Sequence, residues 1–181
     1  QRVSPSPGRI FLIAPIEDPL GARLHDLQKK HDPKLARAFP PHLTLAGSSG
    51  LGAVHPGTSV AELRRALGPI AAATAPLVLA LGTPHRFMQS DVVVLPMDPH
   101  GPLRELHDAI GRSGLRFEQP KFTFTPHVTL SLYRQLSRDE AAELLAVRVP
   151  GPARIERIEA WRTREPQPPA RLLSLPFSGR S

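Results

Sequence analysis

The chain has 181 residues, 40% of them hydrophobic, and Lys+Arg 23 against Asp+Glu 16 gives a formal charge of +7 at neutral pH. That is enough chain to bury a core without covalent staples, and Cys 0 excludes a disulfide framework, a thiolate nucleophile and any cysteine-ligated zinc or iron–sulfur site. No apolar run approaches the roughly 20 residues that span a bilayer, and the polar start Gln1–Gly8 does not read as a secretion signal. A cytoplasmic protein without a membrane partner is expected, and its positive field suits phosphate groups.

Pro 22 is more than twice the usual ~5%, so elements should be short. Residues 1–9 read as a flexible N-terminal segment. Ile10–Ala14, ended by Pro15, is a buried strand, and Leu20, Leu24 and Leu27 mark one face of a helix running to about Lys30. After Pro40-Pro41 comes the strand His42–Ala46. Ser59 with Glu62 three residues on is a capping-box signature for a helix whose inner face is Val60, Leu63, Leu67 and Ile70. Leu77–Leu81 and Asp91–Leu95 read as a central strand pair, Leu103–Ile110 as a helix, and His127–Leu130 as a strand. Ser137 opens a capped helix to about Val147. Arg154–Thr163 and Arg171–Phe177 are closing strands, separated by the proline-rich loop Glu165–Pro169.

The order strand, helix, Pro-His-apolar-Thr-Leu strand occurs twice. Pro41-His42-Leu43-Thr44-Leu45 answers to Pro126-His127-Val128-Thr129-Leu130, and Leu24-His25-Asp26 to Leu106-His107-Asp108. A duplication is the simplest account. The architecture it points to is an α+β fold of two similar lobes, each a mainly antiparallel sheet with flanking helices.

Residues two apart on a strand share a face, so His42 projects with Thr44 and His127 with Thr129. Two imidazoles and two hydroxyls meeting in one cleft suit displacement at phosphorus. One ring takes a proton from the attacking group and the other delivers one to the leaving oxygen. The hydroxyls bond the non-bridging oxygens. Neither histidine has a second ligand at zinc spacing, and no phosphate-binding GxxxxGK[ST] loop or G-x-S-x-G elbow is present; no metal and no cofactor are expected. Lys121, Arg134 and Arg86 lie near motif ends as possible phosphate contacts, and Tyr133 either stacks on a base or covers core. Phe87, Phe122 and Phe124 read mostly as core, and His25 and His107 as helix-surface or packing residues.

The paired HLTL and HVTL motifs resemble the signatures of the 2H phosphoesterases, which include 2'-5' RNA ligase-like proteins and cyclic phosphodiesterases. The resemblance covers nearly the whole chain, and the fold it implies is a single bilobal 2H phosphoesterase-like domain over 1–181, with two pseudo-symmetric lobes and a central cleft. It implies metal-independent opening of a 2',3'-cyclic phosphate to a 2'-phosphate, with catalytic His42 and His127 and phosphate-binding Thr44 and Thr129; family analogy favours His42 as the acid. RNA ligase-like members often carry an arginine three residues after the second threonine, where this chain has Leu132. The stretch HVTLSLYRQLSRDEAAELL is instead similar to small cyclic phosphodiesterases acting on ADP-ribose cyclic phosphate, which would put Tyr133 near the substrate. The expected partner is RNA with a cyclic phosphate end or a small cyclic nucleotide, bound by a monomer. The alternatives are 2'-5' joining of RNA ends by the reverse reaction, and a non-catalytic RNA- or nucleotide-binding module whose affinity falls with salt.

Overall fold

The computed structural model describes residues 7–180. In chain order the elements are β1 (Arg9–Pro15), α1 (Leu20–His31), α2 (Pro33–Ala38), β2 (His42–Ala46), α3 (Val60–Ala73), β3 (Leu77–Leu79) and β4 (His85–Arg86). A single 3-10 turn, Phe87–Gln89, leads to β5 (Val93–Pro96), α4 (Pro102–Gly111), β6 (His127–Ser131), α5 (Arg138–Leu145), β7 (Ala153–Ile155), β8 (Arg157–Arg164) and β9 (Gln167–Pro176). The repeat is thus longer than the motifs alone suggest. The series β1-α1-β2-α3-β3-β4 recurs as β5-α4-β6-α5-β7-β8, and among the described residues only α2, the 3-10 turn and β9 lack a counterpart.

The register repeats as well. Pro15, Ala14 and Ile13 pair with His42, Leu43 and Thr44, then the ladder slips before Leu12 meets Ala46. Pro96, Leu95 and Val94 pair with His127, Val128 and Thr129, and the ladder slips at the same place before Val93 meets Ser131. One antiparallel sheet runs β4-β5-β6-β2-β1-β8-β9, and β3 and β7 form a separate two-stranded sheet. The lobes are therefore joined edge to edge through β2 and β6. Each half also lends its last strand to the other: β4 pairs with β5, and β8 with β1.

Alternation explains the layering. Ile10, Leu12 and Ala14 of β1, Leu43 and Leu45 of β2, and Val128 and Leu130 of β6 are fully buried, and they meet Leu24, Leu63, Leu67, Leu103, Leu106 and Ile110 from the helices in one core. The α3 capping box forms as expected: Ser59 Oγ accepts from Glu62 N at 3.1 Å while Ser59 N donates to Glu62 Oε2 at 2.9 Å. Ser137 caps α5 by accepting from Glu140 N at 3.1 Å.

Several expectations need correction. Of residues 1–9, positions 1–6 lie outside the described residues, while Arg9 opens β1 opposite Thr163 and ion-pairs with Glu118 at 3.1 Å. Val60 stands at the first turn of α3, off the buried stripe, and is exposed. Leu77–Leu81 and Asp91–Leu95 do not form a strand pair, because β3 belongs to the separate sheet; the two stretches meet just beyond, where Leu81 bridges Met97 and Gly82 N donates to Pro96 O at 2.7 Å. Arg154–Thr163 breaks at Glu156 into β7 and β8, which serve different sheets. The expected loop Glu165–Pro169 shrinks to a turn at 165–166, and Pro168 and Pro169 lie in β9. There β9 is the sheet's edge, where a missing N–H costs no ladder bond. No helix among the described residues is long and apolar enough to cross a membrane.

Candidate active site

The two motif strands lie side by side at the middle of the sheet, with Leu43 paired to Val128. In that antiparallel register His42 comes opposite Thr129 and Thr44 opposite His127. Each imidazole therefore has one threonine two residues along its own strand and another across from it. The burial pattern agrees: His42, Thr44, His127 and Thr129 are half-buried while the residues between them are sealed.

The strands share only that one partner pair among the described residues and diverge beyond it. Side chains from the first half satisfy the backbone so released. Gln28 of α1, itself buried, donates from Nε2 to the Thr129 carbonyl at 2.9 Å. Asp32, fully buried between α1 and α2, accepts from Leu132 N at 2.7 Å and Tyr133 N at 2.8 Å on Oδ2. Its Oδ1 accepts from Leu35 N at 3.2 Å, which caps α2.

Both imidazoles are held the same way. His42 Nδ1 is 2.8 Å from the Pro40 carbonyl and His127 Nδ1 is 2.7 Å from the Thr125 carbonyl. A carbonyl only accepts, so Nδ1 carries the hydrogen in each ring and Nε2 keeps the lone pair when the ring is neutral. The proline before each histidine has a purpose here: it restricts the residue before it to extended backbone and steadies the accepting carbonyl. Neither Nε2 has a hydrogen-bond partner among the described residues.

Burial dominates the titration of both rings. It pushes His42 down to about 4, helped by the nearby His127 and opposed by the Pro40 carbonyl and by Glu159. His127 is also lowered by burial, with His85 adding to the effect and the Thr125 carbonyl opposing it. Two neutral imidazoles with free Nε2 atoms are ready to accept protons, and a bound anion would favour protonation of either.

Aromatic rings wall the site on both sides. Phe39 packs on His42 with ring centres 5.3 Å apart, and Trp161 of β8 stands edge-on to Phe39 at 5.4 Å. On the other side Phe87 packs on His127 at 5.1 Å, with Phe122 edge-on to Phe87 at 5.6 Å. The assignment of Phe87 and Phe122 to the core is thus corrected. Only Phe124 is buried, stacked at 4.1 Å on the equally buried His107. Phe39 and Trp161 carry no sequence signal: Phe87 and Trp161 become equivalent only once β4 and β8 are matched, and a two-residue strand leaves no periodicity to read. Behind the His42 wall, Phe39 and Trp161 line a cavity of about 590 Å³ with Arg157 and His25.

The remaining sequence candidates divide. Tyr133 is exposed, so it does not cover core; Lys34 Nζ sits 4.3 Å above its ring. Arg134 is committed elsewhere, donating to the His31 carbonyl at 3.0 Å and to Glu140 at 2.8 Å. Arg86 faces Asp91 at 3.9 Å. Lys121 is exposed, and its backbone N–H bonds Ser48 O at 2.8 Å. His25 bonds the Ala36 carbonyl at 3.2 Å, a packing contact. Among the described residues no three His, Asp or Glu side chains gather as a metal-ligand set.

A duplicated antiparallel scaffold presenting two His-x-Thr strands defines a class, and comparison with known proteins agrees. The family model described as 2'-5' RNA ligase superfamily matches residues 16–167, and the chain belongs to that superfamily. The motif pair's resemblance to the 2H phosphoesterases is borne out. The chain is 31% identical over 118 residues to GK0864 of Geobacillus kaustophilus (strain HTA426), a protein named as a candidate phosphoesterase. That match spans 65% of this chain and 64% of the relative, slightly under two thirds of the relative's length. Among solved structures, TT0787 of Thermus thermophilus has a TM-score of 0.64 at 21% identity, covering 96% of this chain and 100% of that one. LigT of E. coli, crystallised with 3'-AMP, has a TM-score of 0.55 at 23% identity, covering 97% and 99%. Both share the fold.

Proposed function

We propose that this protein is a metal-independent phosphodiesterase that opens a 2',3'-cyclic phosphate, on an RNA end or a nucleotide, to leave a 2'-phosphate. The observation that carries the reading is the pair of imidazoles on adjoining strands. Each is locked through Nδ1 to a carbonyl and has an unengaged Nε2, with one threonine two residues along its own strand and another across from it in register. In the reaction one Nε2 takes a proton from water as the water oxygen bonds to phosphorus. The phosphorus–O3' bond breaks on the opposite side, and the other ring's Nε2–H supplies the proton to O3'. Thr44 and Thr129 donate to the non-bridging oxygens, whose charge is what such donors stabilise.

Other observations agree. The +7 charge favours anionic substrates. The rings of Phe39 and Phe87 offer flat surfaces on which a base or sugar packs. LigT was crystallised with 3'-AMP, ATP and NADP+, and a nucleotide cyclic phosphate, including that of ADP-ribose, is a ligand of the same kind. Tyr133, exposed beside the end of β6, is placed in this reading at the substrate's edge.

The test is turnover of 2',3'-cyclic nucleotides, cyclic-ended RNA and ADP-ribose cyclic phosphate by purified protein with chelator present. A 2'-phosphate product is expected. Tight, salt-dependent RNA binding without turnover would replace the reading with a binding module, and 2'-5' joined RNA as the main product would replace hydrolysis with ligation.

A further inference from the structure

The halves match in register but their flanks differ in charge. Ile13 of β1 links Thr44 to Glu159, and Val94 of β5 links Thr129 to His85. Residues directly opposite one another across a sheet stand on the same face, so Glu159 and His85 hold corresponding places beside the two histidines. The cavity behind Phe39 adds two more carboxylates to the His42 flank, Glu17 and Asp18, together with Arg157 and Arg37. The flank beyond Phe87 has another make-up. There α4 and the loop before β6 form a second cavity of about 530 Å³, lined by Arg104, Lys121, Phe122 and Phe124 and by no carboxylate. Phe122 belongs to both places: it lines this cavity and stands edge-on to Phe87, the ring that packs on His127.

We propose that this cavity is a second phosphate subsite, in which Arg104 and Lys121 hold the phosphate 5' of the reacting ribose, so that an RNA chain leaves the site past Phe87 and Phe122. The proposal rests on the reading above for the reaction, though not for the binding of the second phosphate.

The two cations are positioned and uncommitted. The Arg104 guanidinium lies over Phe124, 5.3 Å from the ring centre. Among the described residues neither Arg104 nor Lys121 has an ion pair or a side-chain hydrogen bond. The carboxylate one turn along α4, Asp108, is taken up by His107 Nδ1 at 3.0 Å. The loop that carries Lys121 is held in place: Ser48 O accepts from Lys121 N at 2.8 Å and from Phe122 N at 3.2 Å, and Gly50 N donates to Phe122 O at 2.8 Å. Gly50 has a φ of +73°, and a Cβ there would collide with His107 Nε2, so only glycine brings this loop so close to α4.

Charge selects the direction. A polynucleotide carries a negative charge at every phosphate; Glu17, Asp18 and Glu159 oppose its passage on the His42 flank, whereas the His127 flank offers two free cations and rings on which a base packs. The reach is suitable as well. One ribose separates the reacting phosphorus from its 5' phosphate, and one aromatic pair, Phe87 and Phe122 with ring centres 5.6 Å apart, separates His127 from the cavity.

The test compares kcat/KM on adenosine 2',3'-cyclic phosphate, on the same nucleotide with a 5'-phosphate, and on a dinucleotide ending in adenosine 2',3'-cyclic phosphate. Both substrates with a 5' phosphate should exceed the first by ~10-fold, chiefly through KM, the scale of a charge-assisted contact at a half-exposed site. Lys121→Gln and Arg104→Gln should each cut that ratio by ~3-fold or more, and added salt should lower it in the native protein. Lys121 is exposed, so its variant keeps the test available if Arg104→Gln disturbs Phe124. Arg37→Gln, on the other flank, should leave the ratio as it is. Equal kcat/KM on all three substrates overturns the proposal. So does a ratio that falls in Arg37→Gln and persists in Lys121→Gln and Arg104→Gln, because the chain would then leave past His42. An advantage confined to the 5'-monophosphate overturns the path of the chain. Absence of turnover on all three defeats the functional reading instead, and calorimetry then decides the subsite: adenosine 2',5'-bisphosphate should bind ~10-fold tighter than adenosine 2'-phosphate to the native protein, and about equally to the Lys121→Gln, Arg104→Gln double variant.

Discussion

The half built around His42 and the half built around His127 share strand order, a ladder slip at the same step, a carbonyl lock on each imidazole and an aromatic wall behind it. They differ in what lies beyond. On the His42 side, β8 is covered by β9, so Glu159 is an interior residue with Ser174 and Arg171 to satisfy it. On the His127 side, β4 is a two-residue edge, and the corresponding residue, His85, stays in solvent. One additional strand thus converts a symmetric scaffold into two environments. The proposed reaction at phosphorus would gain from this, because it asks different things of its two proton-transfer groups. The lending of β4 and β8 across the centre adds that neither half has a complete sheet of its own, so both histidines depend on the fold of the whole chain.

The comparison breaks most sharply at the rings. Replacing His42 or His127 by alanine should each lower cyclic phosphate hydrolysis by ~100-fold or more, the scale of general acid–base catalysis. Each variant should also lose one limb of the native pH–rate profile. A folded single mutant that keeps near-native turnover would remove that ring from the mechanism. The threonines come next. Thr44→Val and Thr129→Val keep shape but delete a donor, and a loss of about 10- to 100-fold in kcat is expected if the hydroxyls act on charge developing at the non-bridging oxygens. A change confined to KM would make them ground-state contacts only.

A third expectation concerns the join between the halves. Asp32 belongs to the first half but accepts two backbone N–H groups of the segment that follows the second motif. Asp32→Ala leaves three buried or part-buried donors without their acceptor and should cost ~3 kcal/mol in denaturant unfolding. It should also release Tyr133. Near-native stability in that variant would show that the latch is dispensable.

The legible part of the molecule was the part with periodicity. Alternation in His42–Ala46 and His127–Leu130 placed the face of the candidate site and the core face, and the repeated Pro-His pattern located the duplication. The swap of β4 and β8 was not legible, because His85–Arg86 is too short for any pattern and strand pairing across the repeat is a long-range choice. The aromatic walls were missed for a related reason. Phe87 and Phe122 look like core by composition, and only the sheet edge and the loop before β6 keep them half-exposed. Arg134 was a plausible phosphate contact by proximity, yet its guanidinium holds the His31 carbonyl and Glu140. Spacing along the chain does not reveal which donors are already taken.

The smallest effect follows from burial of the rings and bears on the same asymmetry. His42 is pushed down to about 4 in the folded protein, whereas an unfolded chain leaves histidine near ~6.5. Between those values the unfolded state binds the extra proton, so stability is whole above about pH 6.5 and falls as the pH drops toward 4. By pH 5.5 the loss from His42 alone should be about 1 kcal/mol. His127 and His31 are lowered by burial too and act in the same direction. Denaturant midpoints followed from pH 7.5 to 5 should therefore fall, and His42→Gln should flatten the slope more than His85→Gln, whose imidazole is exposed. Inorganic phosphate should also flatten it in the native protein, since an anion that favours protonated rings returns part of what burial takes away. Equal slopes in the two variants would mean that the two sides of the site are alike in the free protein.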